Sequence, residues 1–228
     1  MKRKLAGHGA MAKAAACRFL STAEIARCLT ACDSVRTRTL FTLGLVAGFR
    51  ISGLLSVTVG DARTALETGY LHLSAAGGKG RARAHKIALN RDGLFAIGAQ
   101  VDSLGALGEP DRMALDAPLF QSRKRETNGK PGCLRRAQAT RDLKEVFAAA
   151  GIAGMMTPGL TGSHVLRKTW TMRTKASLEA AGLGSIDALE ALRVLGGWKW
   201  ISSVQAYLPT NEKLESIMLA GSALPVAG

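Results

Sequence analysis

Between His164 and Tyr207 the chain carries side chains able to work on an anionic ester. Ser163-His164-Val165-Leu166-Arg167 sets an imidazole and a guanidinium three residues apart. That interval nearly completes a helical turn, so both groups share one face. Leu195-Gly196-Gly197-Trp198 follows, and Tyr207 stands nine residues after Trp198, directly before Leu208-Pro209. A guanidinium grips an oxyanion through paired hydrogen bonds, and an imidazole exchanges protons near neutral pH. A phenol ordinarily titrates near 10, so it attacks only where cationic neighbours favour its phenolate. Taken singly, His164 would more often be a satisfied buried histidine, Trp198 a core aromatic and Tyr207 a helix-end tyrosine. Their joint spacing argues for chemistry.

Two residues in the first half extend the set. Gly48-Phe49-Arg50-Ile51-Ser52-Gly53-Leu54-Leu55 holds an arginine inside an apolar run, where an unpaired charge is costly. Arg50 is therefore expected to be held by partners rather than solvated. Lys79 stands between Gly78 and Gly80, and flanking glycines let a backbone approach a polyanion while the lysine reaches out.

The elements that must position these residues follow from pattern. Ser21 and Glu24 have capping-box spacing, opening a helix to about Cys32. A second helix, about Arg36 to Ala47, breaks at Gly48. Strands are expected over Asp61–Leu66, Gly69–Ser74 and Arg83–Leu89, with Gly77-Gly78 turning the last pair. Asp92–Leu107 reads as a helix and Ser122–Arg136 as a basic surface loop broken by Gly and Pro. Further helices are expected at Leu134–Ala150, Ser163–Ala181, Ile186–Val194 and Ile201–Leu208. The expected class is mainly α with a small three-stranded antiparallel sheet.

The bulk numbers agree with a polyanion as partner. Lys and Arg number 31 against 17 Asp and Glu, a net charge of +14 over 228 residues that are 47% hydrophobic. One well-cored domain fits that length, and nucleic acid is the commonest partner of such charge. The four cysteines, Cys17, Cys28, Cys32 and Cys133, match neither a disulfide framework nor a paired metal motif. Met1-Lys2-Arg3-Lys4 imitates a signal peptide, but His8 and Lys13 interrupt its apolar part. No stretch approaches the ~20 apolar residues of a membrane span. A reduced, cytoplasmic protein is expected. Glu179, Asp187 and Glu190 show no metal-ligand clustering, and no metal or cofactor is expected.

In order, Arg50, Lys79, His164 with Arg167, Trp198 and Tyr207 resemble the boxes of the tyrosine recombinases, the phage integrase family. There a His-x-x-Arg box precedes a Gly-His/Trp box and a tyrosine nine residues on. Gly48 to Leu55 resembles the family's first arginine box, with Gly53 where an acid is usual. Lys79 occupies a hairpin like the one that carries the family's lysine, and Pro118-Leu119-Phe120-Gln121-Ser122-Arg123 is also similar. The resemblance runs from about Phe19 to Pro209.

The resemblance implies a catalytic domain over residues 18–210, a basic tail over 1–17 and a tail over 211–228 whose short helix carries Leu214, Ile217 and Met218. Most members carry a DNA-binding domain in front; with about 18 residues before the first helix, a catalytic-domain-only member or a remnant of a larger integrase is expected. The implied activity cleaves and rejoins DNA through a 3′-phosphotyrosine, for integration, excision or inversion. Tyr207 would attack, Arg50 and Arg167 would hold the non-bridging oxygens, His164 and Trp198 would add donors, and Lys79 (or Lys86) would protonate the leaving oxygen. The implied partners are double-stranded DNA and further copies of the chain, as a tetramer on DNA, with no membrane; DNA-bending accessory proteins are left open. Arg81, Arg83 and Lys86 on the hairpin, Arg123, Lys124, Arg125, Lys130, Arg135 and Arg136 on the basic loop, and Lys168 are expected to contact DNA. A type IB topoisomerase or a non-catalytic accessory protein are the alternatives. The full set of six chemical residues favours an enzyme, and the short chain with its tail favours a recombinase.

Overall fold

The first helix starts where its cap requires. In a computed structural model, which describes residues 19–73, 85–152, 162–205 and 207–208, the Ser21 hydroxyl accepts from the Glu24 amide at 3.3 Å. The Glu24 carboxylate accepts from the Ser21 amide at 2.9 Å. Helix α1 (Thr22–Ala31) follows and buries Ile25 and Cys28. The N-terminal and C-terminal tails, Lys79, Arg81 and Arg83 lie outside the described residues.

Helix α2 (Val35–Val46) is the central rod, burying Leu40, Phe41 and Leu43 on several sides. It packs against α5 (Arg91–Gly105), α6 (Arg136–Ala149) and α7 (Gly162–Ala180). Phe41 meets Phe147 of α6 edge-on, with ring centroids 6.2 Å apart. A Cβ on Gly44 would lie 2.6 Å from Leu166 Cδ1 and 3.2 Å from its Cβ, so a side chain here would crowd Leu166 of α7 at this close approach. That approach sets the face carrying His164 and Arg167 against the end of α2.

Two sequence expectations fail between Arg50 and Arg136. The strand expected over Asp61–Leu66 is helical: α3 (Ile51–Leu55) is followed by α4 (Val59–Thr68). Thr58 and Asp61 form a second capping box, the Asp61 carboxylate accepting from the Thr58 amide at 3.0 Å and the Thr58 hydroxyl from the Asp61 amide at 3.1 Å. Val59, Ala62 and Ala65 are buried, a helical rather than an alternating period. The segment expected as a basic loop holds an antiparallel pair, β3 (Gln121–Arg125) with β4 (Pro131–Cys133). The other pair, β1 (Tyr70–Leu73) with β2 (His85–Ala88), has Leu71 opposite Ile87 and His72 opposite Lys86. The described residues thus hold two two-stranded sheets instead of one three-stranded sheet.

Helices α8 (Ser185–Leu195) and α9 (Ile201–Gln205) close the described chain, burying Leu192 and Val204. No described helix is long and apolar enough to cross a membrane.

Candidate active site

Helix α7 carries the centre of the site and is fastened along its length. Val165, Leu166 and Trp170 are buried, and the Thr169 hydroxyl accepts from the Leu20 amide at 2.9 Å. One turn into the helix, Arg167 is only 3% exposed. Its guanidinium donates to the carbonyls of Gly48 and Gly196, the latter at 2.8 Å, and lies 3.9 Å from the Trp198 ring. One side chain therefore joins the end of α2, the turn after α8 and α7.

The glycines at those carbonyls are there for space. Gly48 has φ +61, and a Cβ on it would fall 2.2 Å from the Trp170 ring. A Cβ on Gly196 would fall 1.8 Å from Trp198 Cζ3. Gly196→Ala is accordingly expected to destabilise the fold by about 2 kcal/mol or more through overpacking, read as a lower denaturant midpoint. A variant of unchanged stability would mean that Trp198 swings aside at no cost.

Tyr207 completes the cluster. Its hydroxyl lies 3.4 Å from His164 Nδ1, and the two rings are near parallel with centroids 6.3 Å apart. Trp198 lies 5.5 Å from the Tyr207 ring and 6.0 Å from the Trp170 ring, centroid to centroid. Arg167 Nε and Trp198 Nε1 are buried with no hydrogen-bond partner among the described residues.

Arg50 departs from its expectation. Phe49 and Ile51 are buried, but Arg50 itself is exposed. Its backbone starts α3, the carbonyl accepting from the Gly53 and Leu54 amides at 2.9 and 3.1 Å, and this turn sends the side chain out of the apolar run. It lines a depression of about 70 Å³ with Ile51, Ser52, Arg136, Ser163, His164 and Arg167. Among the described residues, three arginines and no carboxylate surround that space.

The electrostatics follow from this lining. Burial first, then the charges of Arg167, Arg136 and Arg50, hold the His164 pKa below its ordinary 6.5. His164 is neutral at pH 7 and able to accept a proton. Burial likewise lowers Arg167 to about 10, with the Tyr207 oxygen opposing the fall, so it stays charged at neutral pH.

This depression of the His164 pKa has a definite sign in stability. Below 6.5 an unfolded histidine takes a proton more readily than His164 does, so the residue costs stability as pH falls, down to its folded value. His164→Gln is expected to flatten the loss of stability between about pH 7.5 and 5, measured by denaturant unfolding. An unchanged slope would place the titration elsewhere.

Other cations expected at DNA are distributed differently. Arg125 is bound by the carboxylates of Glu109 and Asp111, which raise its pKa while their own are lowered. Its charge is spent on clasping β3 to the turn before it. Lys168, expected at a DNA surface, is buried. Lys86 sits 4.0 Å over the Tyr70 ring and does not line the depression. Arg123, Lys124, Lys130 and Arg135 are exposed, as binding to DNA would require, with Lys130 3.6 Å from Asp116. Ser52, Ser163 and the carbonyls of Gly48 and Gly196 also join the site; they stand inside the sequence motifs, but serine and glycine are too commonplace for their types to single them out.

No family model and no curated protein matches the sequence. Solved structures do. The chain is similar to XerA recombinase, with a TM-score of 0.63 and 18% identity, over 90% of this chain and 64% of that one. It is similar to the XerH site-specific recombinase bound to a palindromic difH substrate, with a TM-score of 0.61 and 17% identity, over 90% and 53%. It is similar to the Tn1549 transposon integrase in complex with transposon right-end DNA, with a TM-score of 0.57 and 18% identity, over 89% and 65%. The chain spans between about half and two thirds of the length of these structures. The likeness is one of fold: this chain has the fold that XerA recombinase, the XerH site-specific recombinase and the Tn1549 transposon integrase share.

Proposed function

We propose that the protein is a site-specific DNA recombinase, breaking and rejoining strands through a 3′-phosphotyrosine link, with residues 18–210 as its catalytic domain. One observation carries the reading: the Tyr207 hydroxyl is 3.4 Å from the neutral His164 imidazole, beside a depression lined, among the described residues, by three arginines and no acid. XerH, which shares the fold, is a site-specific recombinase bound to a palindromic difH substrate in a post-cleavage complex, and this supports the reading.

A DNA phosphodiester resists attack because it is anionic and its alkoxide is a poor leaving group. Guanidinium groups on the non-bridging oxygens meet the charge that builds in the pentacovalent state; Arg50 and Arg167 serve there. The Tyr207 oxygen bonds to phosphorus as its proton passes to His164 Nδ1. The bond from phosphorus to the 5′ oxygen breaks, and Lys79 gives that oxygen a proton. The phosphotyrosine keeps the bond energy, so a 5′-hydroxyl from a second duplex reverses the step without ATP. Exchange between two duplexes requires several copies on DNA, and a tetramer is the arrangement proposed.

Nicked duplexes from a randomised pool, resolved on a denaturing gel, test the reading. A label retained on the protein band is expected, along with joined strands from two duplexes. No retained label from any member of the pool would overturn it.

Lys79 has its own test. If it protonates the departing 5′ oxygen, a sulfur in that position leaves as a thiolate and needs no proton. Lys79→Ala is expected to be slowed by about two orders of magnitude on ordinary DNA and near wild type on the sulfur-bridged duplex. Rescue of Lys86→Ala instead would move the role to β2.

A further inference from the structure

The depression contains one arginine more than that reaction uses. Arg136 is the first residue of α6, is exposed, and lines the same space as Arg50, His164 and Arg167. Arg36, Arg112, Arg125 and Arg193 all have carboxylate partners. Among the described residues, Arg50 and Arg136 have none and no acid lines the depression. Three like charges around about 70 Å³ repel one another unless an anion sits among them. A tetrahedral oxyanion fits in that space.

The need for Arg136 comes from what Arg167 has already committed. Two of its N–H groups are taken by the Gly48 and Gly196 carbonyls, and its face is covered by Trp198. Its Nε is buried without a partner among the described residues, so Arg167 lines the depression as a buried floor and not as a free two-pronged grip. A phosphodiester has two non-bridging oxygens, and Arg50 alone at the rim serves one side. Arg136, entering from a different helix, supplies the other.

We propose that Arg136 is a third phosphate-binding arginine of this site, gripping the scissile phosphodiester from α6 opposite Arg50 while Arg167 forms the floor. The proposal rests on the phosphodiester-cleavage reading, but its first test needs no cleavage.

The full-length chain would be unfolded thermally in sodium phosphate, sodium sulfate and sodium chloride at equal ionic strength. Phosphate and sulfate are expected to raise the midpoint above chloride. Arg136→Gln is expected to weaken inorganic phosphate binding about tenfold, the worth of a charge-assisted hydrogen bond. Arg141→Gln, which removes the same charge from an exposed position on the same helix away from the depression, should keep wild-type binding. No stabilisation of the wild type by phosphate, or equal stabilisation of Arg136→Gln, overturns the proposal. The second arm uses the nicked duplexes. Arg136→Ala should cut at least about tenfold slower at saturating DNA, and Arg136→Lys should recover part of that rate. A wild-type rate in Arg136→Ala overturns the proposal. If the wild type cuts no duplex while the phosphate arm holds, the recombinase reading fails and the oxyanion site stands.

Discussion

Tyr207→Phe is expected to abolish the covalent DNA adduct while leaving folding and DNA binding nearly intact. Only one oxygen is removed, and it is the oxygen placed 3.4 Å from His164 Nδ1. The ring keeps its position against Trp198 and His164. A hydrogen bond this long and only half-buried is weak, so stability should fall by no more than about 1 kcal/mol. Adduct on a denaturing gel, DNA binding by mobility shift and unfolding by denaturant read the three quantities separately. The chain has one other tyrosine, Tyr70, which lies under Lys86 on the outer face of β1. An adduct that survives Tyr207→Phe and disappears in Tyr70→Phe would move the nucleophile to that hairpin.

Arg167→Ala is expected to damage both chemistry and fold, and Arg50→Ala chemistry alone. Each removes charge aimed at the pentacovalent state, so each should lower cleavage by roughly two to three orders of magnitude. Their structural settings differ. Arg50 is exposed and has no partner among the described residues, so its removal should change stability by less than about 0.5 kcal/mol. Removing Arg167 relieves the desolvation that holds its pKa near 10. Against that relief, it leaves the Gly48 and Gly196 carbonyls unsatisfied at about 1–3 kcal/mol each. It also takes away the stack on Trp198, about 1–2 kcal/mol. The penalties outweigh the relief, and a net fall of a few kcal/mol is expected. Unfolding curves and single-turnover cleavage on the same two variants check it. Equal stability of both variants would mean that Arg167 does not tie the three segments together. Equal falls in binding and cleavage would make both arginines plain phosphate anchors.

Much of the fold is legible in the sequence because it is decided locally. The Ser21–Glu24 capping box sets the start of α1 through hydrogen bonds three residues apart, and the long helices α5 and α6 follow their apolar spacing. Asp61–Leu66 imitates a strand because β-branched Val57, Thr58 and Val59 precede it. The Thr58–Asp61 box, equally local, outweighs that propensity and makes the segment a helix. The β3–β4 hairpin is hidden by its charges. Exposed strand positions tolerate lysine and arginine, so composition alone resembles a loop.

For the site, the sequence by itself determined residue types and short-range geometry. His164 and Arg167 had to share a helix face, and a tyrosine had to follow Trp198 at a set interval. Only the tertiary structure decided which cations face the depression. Arg50 leaves its apolar run because its backbone begins a helix. Arg125 is drawn to Glu109 and Asp111, Lys168 is buried, and Arg136 is brought to His164 by the packing of α6 against α7. Each outcome depends on partners far away in sequence. Where a long charged side chain ends is settled by the carboxylates, carbonyls and rings that the folded chain places within its reach, and no local spacing encodes those.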